Sequence, residues 1–535
     1  MLFNSFVFLT LFLPLALASY YALGSRSPRL AASWLCFSSF VFYGAWAPAF
    51  VGLLVASIAF NYGMSRAILA SPPRSRGRRT WLAAAICVDI GLLVRYKYWA
   101  AMAGALIEWF GLSPHGWLAQ PSAGVVLPLG VSFFTFTQIG YLLDCNAGIV
   151  KRSDALGFVQ FVTFFPHLIA GPILHHKEMM TQFAQPETYR LRAENISVGA
   201  SVFAIGLAKK LLLADALAPY ADAGFAAPGA LGAWAAWGTA LAYALQLYFD
   251  FSGYSDMAVG LAKMFGVRFP LNFNSPFKAA SIIEFWQRWH MTLTRYLTAY
   301  LYYPLSMRIN RRRAARGLPI GRAAQSSPSG FAATVAVPTF YTMGLAGIWH
   351  GAGVQYLIYG LLHAAYLTVN HAWRNRRASR HASPPASSGF GAKAGHVMSV
   401  LTTFAAALVA FVFFRAHGVG DALAMLEAMA GAKGLGSSAW PPLDAGVYGP
   451  AWLRLAVGRA MPAPLLALAL AIAWFAPNSH EWMGRFSPAL ERASGAVPAR
   501  LAWSPSWQWT AAVVLLLLVC AAQLHGEVRF LYFQF

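Results

Sequence analysis

Charged residues are scarce in this sequence: they make up 11% of its 535 residues, and only 18 are Asp or Glu against 40 Lys or Arg. Soluble domains carry about twice that charged fraction. With 58% hydrophobic residues and a mean hydropathy of +0.52, the composition excludes a disordered, secreted or ordinary cytosolic protein. It also disfavours a nucleic-acid binder, whose basic charge lies on a soluble surface. The sequence therefore predicts a polytopic membrane protein.

Cysteines are also few, and no two of them show C-x-x-C spacing. We expect all of them to be buried and unpaired, which supports neither a disulfide framework nor a zinc site. His175 and His176 are adjacent, which is not a metal-ligand spacing, so no metal site is predicted. The four cysteines are Cys36, Cys87, Cys145 and Cys520.

Long apolar runs are the main positive feature, and a bilayer-spanning helix needs about 20 such residues. The first run lacks the basic start of a signal peptide, so it is expected to be a retained transmembrane helix. We expect about ten or eleven crossings, with re-entrant segments where Gly and Pro interrupt the runs. The candidate spans are 2–23, 30–46, 48–70, 80–94, 153–173, 195–218, 233–262, 331–349, 351–372, 397–415, 462–476 and 508–525.

The positive charge is concentrated in three loops, within 74–79, 308–322 and 374–380. Short basic loops face the cytoplasm. Membrane topology and contact with anionic lipid headgroups explain these arginines better than a dedicated polyanion site does.

Polar residues at membrane depth are the informative ones. The run 250–256, DFSGYSD, contains two carboxylates between apolar segments. It indicates either a structural hydrogen-bond network that stabilises a broken helix, or a wet cavity, and the former is favoured.

A second polar segment contains His290. At helical spacing Trp286, Trp289 and His290 share one face, and Glu284 can pair with Arg288 at i, i+4. His290 is then either a core histidine or a functional one, and the pattern does not decide between them.

A third segment, GLAGIWHGAG at 344–353, has glycines on both sides of His350. They are expected to break the helix, so that His350 projects into a cavity and can act as a general base. On the motif alone, a hinge whose histidine bonds a carbonyl is slightly favoured. The aromatic C-terminal end, 530–535, is by itself best explained as an interface anchor.

Eight motifs in order resemble those of a known family: LPLGVSFFTFTQ at 127–138, FPHLIAGP at 165–172, the run 250–256, LNFNSPF at 271–277, FWQRWH at 285–290, WHG at 349–351, FFRA at 413–416 and PN at 477–478. The chain resembles the bacterial membrane-bound O-acyltransferases (MBOAT), of the alginate O-acetyltransferase type. The teichoic-acid D-alanyl transfer protein is a more distant relative.

The resemblance implies an all-α fold of about 11 transmembrane helices plus re-entrant ones around a membrane-crossing funnel. It implies one integral-membrane domain over 1–535, with a catalytic core at about 125–420 and C-terminal helices and tail at 460–535. It assigns the family's invariant histidine to His350 and a second histidine to His290. The positions expected to line the cavity are Trp349, Trp286, Asn274, Asp250, Tyr254 and Gln138.

The resemblance also extends to the aromatic C-terminus, where Tyr532 matches a tyrosine that looks like an acyl relay. The chain departs from the alginate type after 300–305, YLYYPL, where a Gly-Gly-Asn-Arg loop is replaced by SMRINRRR, and at Ala299, where an acidic residue is usual. These departures leave the contacts to the donor and the identity of the polysaccharide open.

The function implied is transfer of an acyl group, expected to be acetyl, from a cytoplasmic thioester such as acetyl-CoA to an exported or surface polysaccharide. In this hypothesis His350 is the general base, and His290 is a partner that positions the reacting groups or stabilises charge. Tyr532 carries the acyl group, and an indole N–H of Trp286 or Trp349 stabilises the developing oxyanion. Expected partners are membrane lipids, a periplasmic SGNH or esterase-like protein and a polysaccharide synthase complex, in the bacterial inner membrane. The alternatives are a polysaccharide-export channel and a non-catalytic scaffold of a synthase.

Overall fold

The computed structural model describes residues 1–111, 127–380, 390–436, 463–491, 495, 497–498, 500–524 and 531. Within these ranges the chain is helical and contains no strand, as the all-α expectation requires. The α-helices are, in chain order, α1 (Leu13–Gly24), α2 (Pro28–Gly44), α3 (Val51–Ala70), α4 (Arg76–Leu93), α5 (Trp99–Phe110), α6 (Val131–Ala147), α7 (Ala155–Thr163), α8 (Phe165–Leu168), α9 (His176–Phe183), α10 (Ala193–Ala208), α11 (Asp215–Ala226), α12 (Ala233–Met264), α13 (Ile282–Trp286), α14 (Met291–Leu297), α15 (Tyr303–Ala314), α16 (Gly321–Ala324), α17 (Pro328–Phe331), α18 (Val337–His350), α19 (Val354–Arg380), α20 (Phe390–Arg415), α21 (Val419–Met429), α22 (Ala463–Phe475), α23 (Ser479–Trp482) and α24 (Trp507–Ala521).

Short segments of other helical geometry join several of these helices. The wider π-helical turns continue a helix without a break, and the tighter 3₁₀ turns mostly occur at prolines. The π segments are Phe8–Phe12, Val94–Tyr98, Lys209–Ala214, Thr298–Tyr302 and Ala332–Ala336. The 3₁₀ segments are Pro48–Phe50, Pro186–Tyr189, Pro228–Ala230, Pro276–Lys278 and Gly484–Phe486.

The helices form two compact units. Of the described residues, those within 1–208, 251–271 and 479–531 form the first unit, and those within 209–250 and 272–478 form the second. Both candidate histidines, His290 and His350, belong to the second unit.

Four helices in the described ranges are long and apolar enough to cross a membrane. All four coincide with candidate spans, and shorter apolar helices occupy three more of the expected positions. The total of about eleven crossings stays a prediction. The four are Pro48–Ala70, Ala193–Ala226, Pro328–His350 and Phe390–Arg415, and the shorter ones are Phe8–Gly24, Ala463–Phe475 and Trp507–Ala521.

The candidate span at 153–173 is not one helix. The backbone leaves helical geometry at Phe164 (φ −49°, ψ 107°), and α8 then begins with Pro166 in its first turn. Residues 169–175 are irregular and almost entirely buried, as expected for non-helical backbone that is covered by protein. Conversely, α6 was not among the candidate spans, because its apolar residues are interspersed with Thr, Gln and Asp that turn out to be buried.

In the first unit, α10 packs closely against the 251–264 part of α12. A Cβ added at Gly199 would lie 2.6 Å from the carbonyl oxygen of Gly260, and one at Gly260 would lie 2.5 Å from that of Gly199. Small residues of this kind let membrane helices approach closely.

All four cysteines are free, as expected, but Cys87 is exposed on α4, so the prediction that it is buried was wrong.

Candidate active site

His350 is the last residue of α18, where the glycine pattern predicted a break. Gly351 is extended (φ −170°, ψ 167°) and α19 begins at Val354. A Cβ at Gly351 would lie 2.2 Å from the ring of Tyr356, so the break needs glycine for space. His350 is 7% exposed, and its ring packs edge-on against Phe414, with ring centroids 5.0 Å apart. The predicted helix end is therefore confirmed.

Two glycines hold α18 against α19 beside His350. A Cβ at Gly360 would lie 2.3 Å from the carbonyl oxygen of Met343, and one at Gly347 would lie 2.4 Å from that of Tyr356. Because backbone atoms cannot move away as a side chain can, neither position accepts even a methyl group without separation of the helices. This contact sets the position of the histidine at the end of α18.

We expect Gly360→Ala to lower the thermal unfolding temperature of the purified protein and its activity together, because α19 must move away from α18. Gly344→Ala is the matched control: it lies on α18 and faces Leu361 of α19, and the atom nearest to an added Cβ is a methyl of that leucine at 3.7 Å, an ordinary contact. Equal unfolding temperatures for the two variants would contradict the packing argument.

His290 does not lie on a continuous helical face with Trp286, so that expectation was wrong. Helix α13 ends at Trp286, and His290 adopts a left-handed conformation (φ 42°, ψ 52°) immediately before α14. A non-glycine residue in this region costs about 1–3 kcal/mol and persists only where its surroundings enforce it. The predicted ion pair between Glu284 and Arg288 is confirmed at 2.7 Å.

Asn272 holds the strained His290. The Oδ1 atom of Asn272 lies 2.9 Å from His290 Nδ1 and accepts hydrogen bonds from the hydroxyl and backbone N–H of Thr292. Because Thr292 N–H can only donate, that atom is the amide oxygen, and His290 must donate to it from Nδ1. Burial lowers the pKa of His290, which favours the neutral ring. The neutral ring with its proton on Nδ1 leaves Nε2 as the basic nitrogen.

His363 is a third histidine of this site, and one to which sequence reasoning gave no role. It is fully buried on α19, and its Nδ1 accepts a hydrogen bond from the indole N–H of Trp286 at 3.2 Å. Its ring stacks on Phe285, with centroids 6.1 Å apart and planes 3° from parallel. In this structure the Trp286 indole N–H is donated to His363, and its contact with an oxyanion stays a prediction. The signal available in the sequence was that Tyr359 and His363 lie four residues apart on one helix.

A continuous set of aromatic rings connects the two predicted histidines within the second unit. Tyr359 contacts His350 at 5.9 Å and His363 at 4.7 Å between centroids. From His363 the contacts continue through Phe285, Trp289 and Phe273, and the Phe273 ring stacks on His290. The structure therefore places His350 and His290 in one packed cluster, with His363 between them.

The other predicted cavity residues have structural contacts. Asn274 accepts a hydrogen bond from Asn478 at 3.0 Å, and Trp349 packs on His350. In the first unit, Tyr254 stacks on Phe3 at 4.8 Å, and Gln138 donates to the hydroxyl of Ser57 at 3.0 Å. Cavity lining by these side chains stays a prediction, and Tyr532 lies outside the residues that the structure describes.

The run 250–256 lies inside the 32-residue helix α12, so the expected broken helix was wrong. The favoured network does exist: Asp250 forms an ion pair with Lys210 at 2.6 Å in the second unit. In the first unit Asp256 accepts from Ser479 at 2.7 Å and lies 3.0 Å from His480 Nε2. In the part of the chain that is described, no group of three or more His, Cys, Asp or Glu side chains is arranged to hold a metal ion.

Comparison with known proteins shows which family the chain belongs to. The chain is 36% identical over 464 residues to the peptidoglycan O-acetyltransferase of Helicobacter pylori, and the match covers 81% of each protein. The sequence model of the membrane-bound O-acyltransferase family matches residues 131–318. The chain belongs to the membrane-bound O-acyltransferase family.

Other relatives of this MBOAT protein are named for acyl transfer to alginate or teichoic acid. The probable alginate O-acetylase of Pseudomonas aeruginosa is 36% identical over 433 residues, or 80% of this chain and 75% of that protein. The teichoic acid D-alanyltransferase of Bacillus subtilis is 28% identical over 250 residues, or 46% of this chain and 60% of that protein. The protein is thus a multi-pass membrane O-acyltransferase, and the relatives favour an enzyme over an export channel or an inert scaffold.

Proposed function

We propose that this MBOAT enzyme transfers an acetyl group from acetyl-CoA on the cytoplasmic side of the bacterial inner membrane, for O-acetylation of an exported or surface polysaccharide. Relatives of similar identity are named for peptidoglycan and for alginate O-acetylation, which supports acetyl as the group and a polysaccharide as the acceptor. The observation that carries the proposal is the packed cluster containing His350 and His290 in one unit. The expected partners are an esterase-like periplasmic protein and a polysaccharide synthase.

The reaction needs a general base to deprotonate the attacking hydroxyl. His350 removes the proton from the attacking hydroxyl, the new C–O ester bond forms as the C–S thioester bond breaks, and the proton passes to the departing thiolate. The neutral His290, with Nε2 basic, positions the hydroxyl or stabilises the charge that develops. Acyl transfer of this kind needs no metal.

Tyr532 is proposed as the intermediate acceptor. A phenol, with a pKa of about 10, is a better leaving group than an alkyl hydroxyl, so an aryl ester can pass the acetyl group on. Mass spectrometry of the C-terminal peptide should detect an acetyl adduct on Tyr532. Normal polymer acetylation by Tyr532→Phe would refute the relay but not the acetyltransferase.

A deletion strain tests the function as a whole. We expect one surface or exported polysaccharide to lose its base-labile acetate, and the wild-type chain to restore it. Membrane vesicles supplied with radiolabelled acetyl-CoA then test the donor, since label should enter the same polymer. A deletion strain whose polymers all keep their acetate would contradict the proposal.

A further inference from the structure

A second polar cluster lies far from the histidines in sequence, in the first unit, where α3, α4 and α6 pack against one another. Asp89 on α4, Asn61 on α3 and Gln138 on α6 are each at most 2% exposed. Asn61 lies in the candidate membrane span Pro48–Ala70. An ionisable residue buried among membrane helices is rare and costs free energy, so its presence indicates a functional site.

Hydrogen bonds join these side chains into one group through Ser57. Asn61 Nδ2 donates to Asp89 Oδ1 at 2.9 Å and to the carbonyl oxygen of Ser57 at 3.1 Å. Gln138 Nε2 donates to the Ser57 hydroxyl at 3.0 Å. Both partners of Asn61 are acceptors, so its amide orientation is fixed and its oxygen must face elsewhere.

The remaining oxygens of the group have no donor among the described residues. Asp89 Oδ2, Asn61 Oδ1 and Gln138 Oε1 are all buried without a hydrogen-bond partner, as is the hydroxyl of Thr135, one turn before Gln138. Burying one such oxygen without a partner costs about 1–3 kcal/mol, and more for a charged group. A bound positive charge would interact favourably with all of these buried oxygens and would balance the single carboxylate.

Among the residues that the structure describes, no side chain supplies that charge. Counted along the chain, the charged residues within about two helical turns of these three side chains are Arg66, Arg95, Lys97 and Asp144, and the neutral titratable ones include Tyr62, Cys87, Tyr96 and Tyr141. In the described part of the chain none of them forms an ion pair or hydrogen bond with Asp89, whose one such contact is Asn61.

We propose that Asp89, Asn61 and Gln138 form a buried site for one monovalent cation, either Na⁺ or a proton. One carboxylate balances one positive charge, whereas a divalent ion would leave a net charge buried. Carboxylate, amide and hydroxyl oxygens are hard ligands suited to Na⁺. A proton on Asp89 Oδ2 would instead donate to one of the neighbouring oxygens. The site is independent of the acyl-transfer chemistry proposed above.

Thermal unfolding of the purified full chain in detergent tests the site without an activity assay. When choline chloride is replaced stepwise by NaCl at constant ionic strength, a Na⁺ site predicts a saturable rise of about 2–4 °C in the unfolding temperature of wild type, because Na⁺ binds to the native state alone. A proton site predicts no Na⁺ effect and an unfolding temperature that falls as pH rises, because the neutral acid is the form that the folded protein stabilises.

Asp89→Asn mimics the neutral acid and should abolish either response. Glu108→Gln, a neutralised carboxylate exposed on α5, is the control and should respond as wild type does. Gln138→Met keeps the side-chain length without the oxygen, and should raise the half-saturating Na⁺ concentration at least tenfold if the ion is Na⁺. A wild-type protein that responds to neither Na⁺ nor pH more than Asp89→Asn does would overturn the proposal.

Discussion

Replacement of His350 by alanine is expected to lower acyl transfer by about 100- to 10,000-fold, the usual contribution of a positioned general base. The protein should remain folded, since His350 ends its helix and the following break depends on Gly351 and not on the imidazole. The loss should appear in kcat more than in KM, because the proton moves only as the bond forms.

The control is His417→Ala. The His417 side chain is 67% exposed and lies 3.8 Å from Asp421, so its removal should leave transfer unchanged. Membrane abundance and unfolding temperature of both variants separate a chemical loss from a folding loss. If His350→Ala were fully active at normal abundance, His350 could not be the base, whatever the family resemblance.

The two histidines show what sequence can and cannot predict about this site. The break at His350 is a local property of glycines on either side of the residue, so the pattern was sufficient to predict it. The left-handed backbone at His290 is imposed by hydrogen bonds to Asn272, 18 residues earlier in the chain. Helical periodicity applied to that segment therefore predicted the wrong geometry.

His363 was missed for a related reason. In the sequence it follows the WHG motif on an ordinary apolar helix, and only the packing of α19 brings it to the Trp286 indole, 77 residues away. Its role is to hold that indole, and with it the Phe285 ring, between the segments that present His290 and His350. Such positioning residues cannot be distinguished from core histidines until the tertiary contacts are known.

The largest stability effect is expected for Lys210→Met. The Nζ atom of Lys210 lies 2.6 Å from Asp250 Oδ1 and 2.7 Å from Asp215 Oδ1, and the lysine is only 4% exposed. Removing one partner of a buried ion pair costs about 3–5 kcal/mol, because it leaves an uncompensated charge. Here it would leave the Asp250 carboxylate, at 2% side-chain exposure, without its cation.

The contact between Lys210, Asp215 and Asp250 could not be predicted from the sequence alone. Lys210 and Asp215 are five residues apart, a spacing that does not align on an α-helix, but the segment Lys209–Ala214 is π-helical. A π-helical turn hydrogen-bonds residues i and i+5, which brings the two side chains together. The polar run 250–256 predicted a network around Asp250, but its partner 40 residues earlier depended on that turn.

Two further variants make this prediction specific. Lys433→Met removes an exposed lysine that donates to the carbonyl oxygen of Gly229 at 2.8 Å, and should change the unfolding temperature little. The double variant Lys210→Met/Asp250→Leu should recover most of the lost stability, because it removes the buried charge together with its partner, and the Asp215 side chain is 34% exposed. A double variant no more stable than Lys210→Met would mean that the loss comes from the packing of the lysine stem rather than from an unpaired charge.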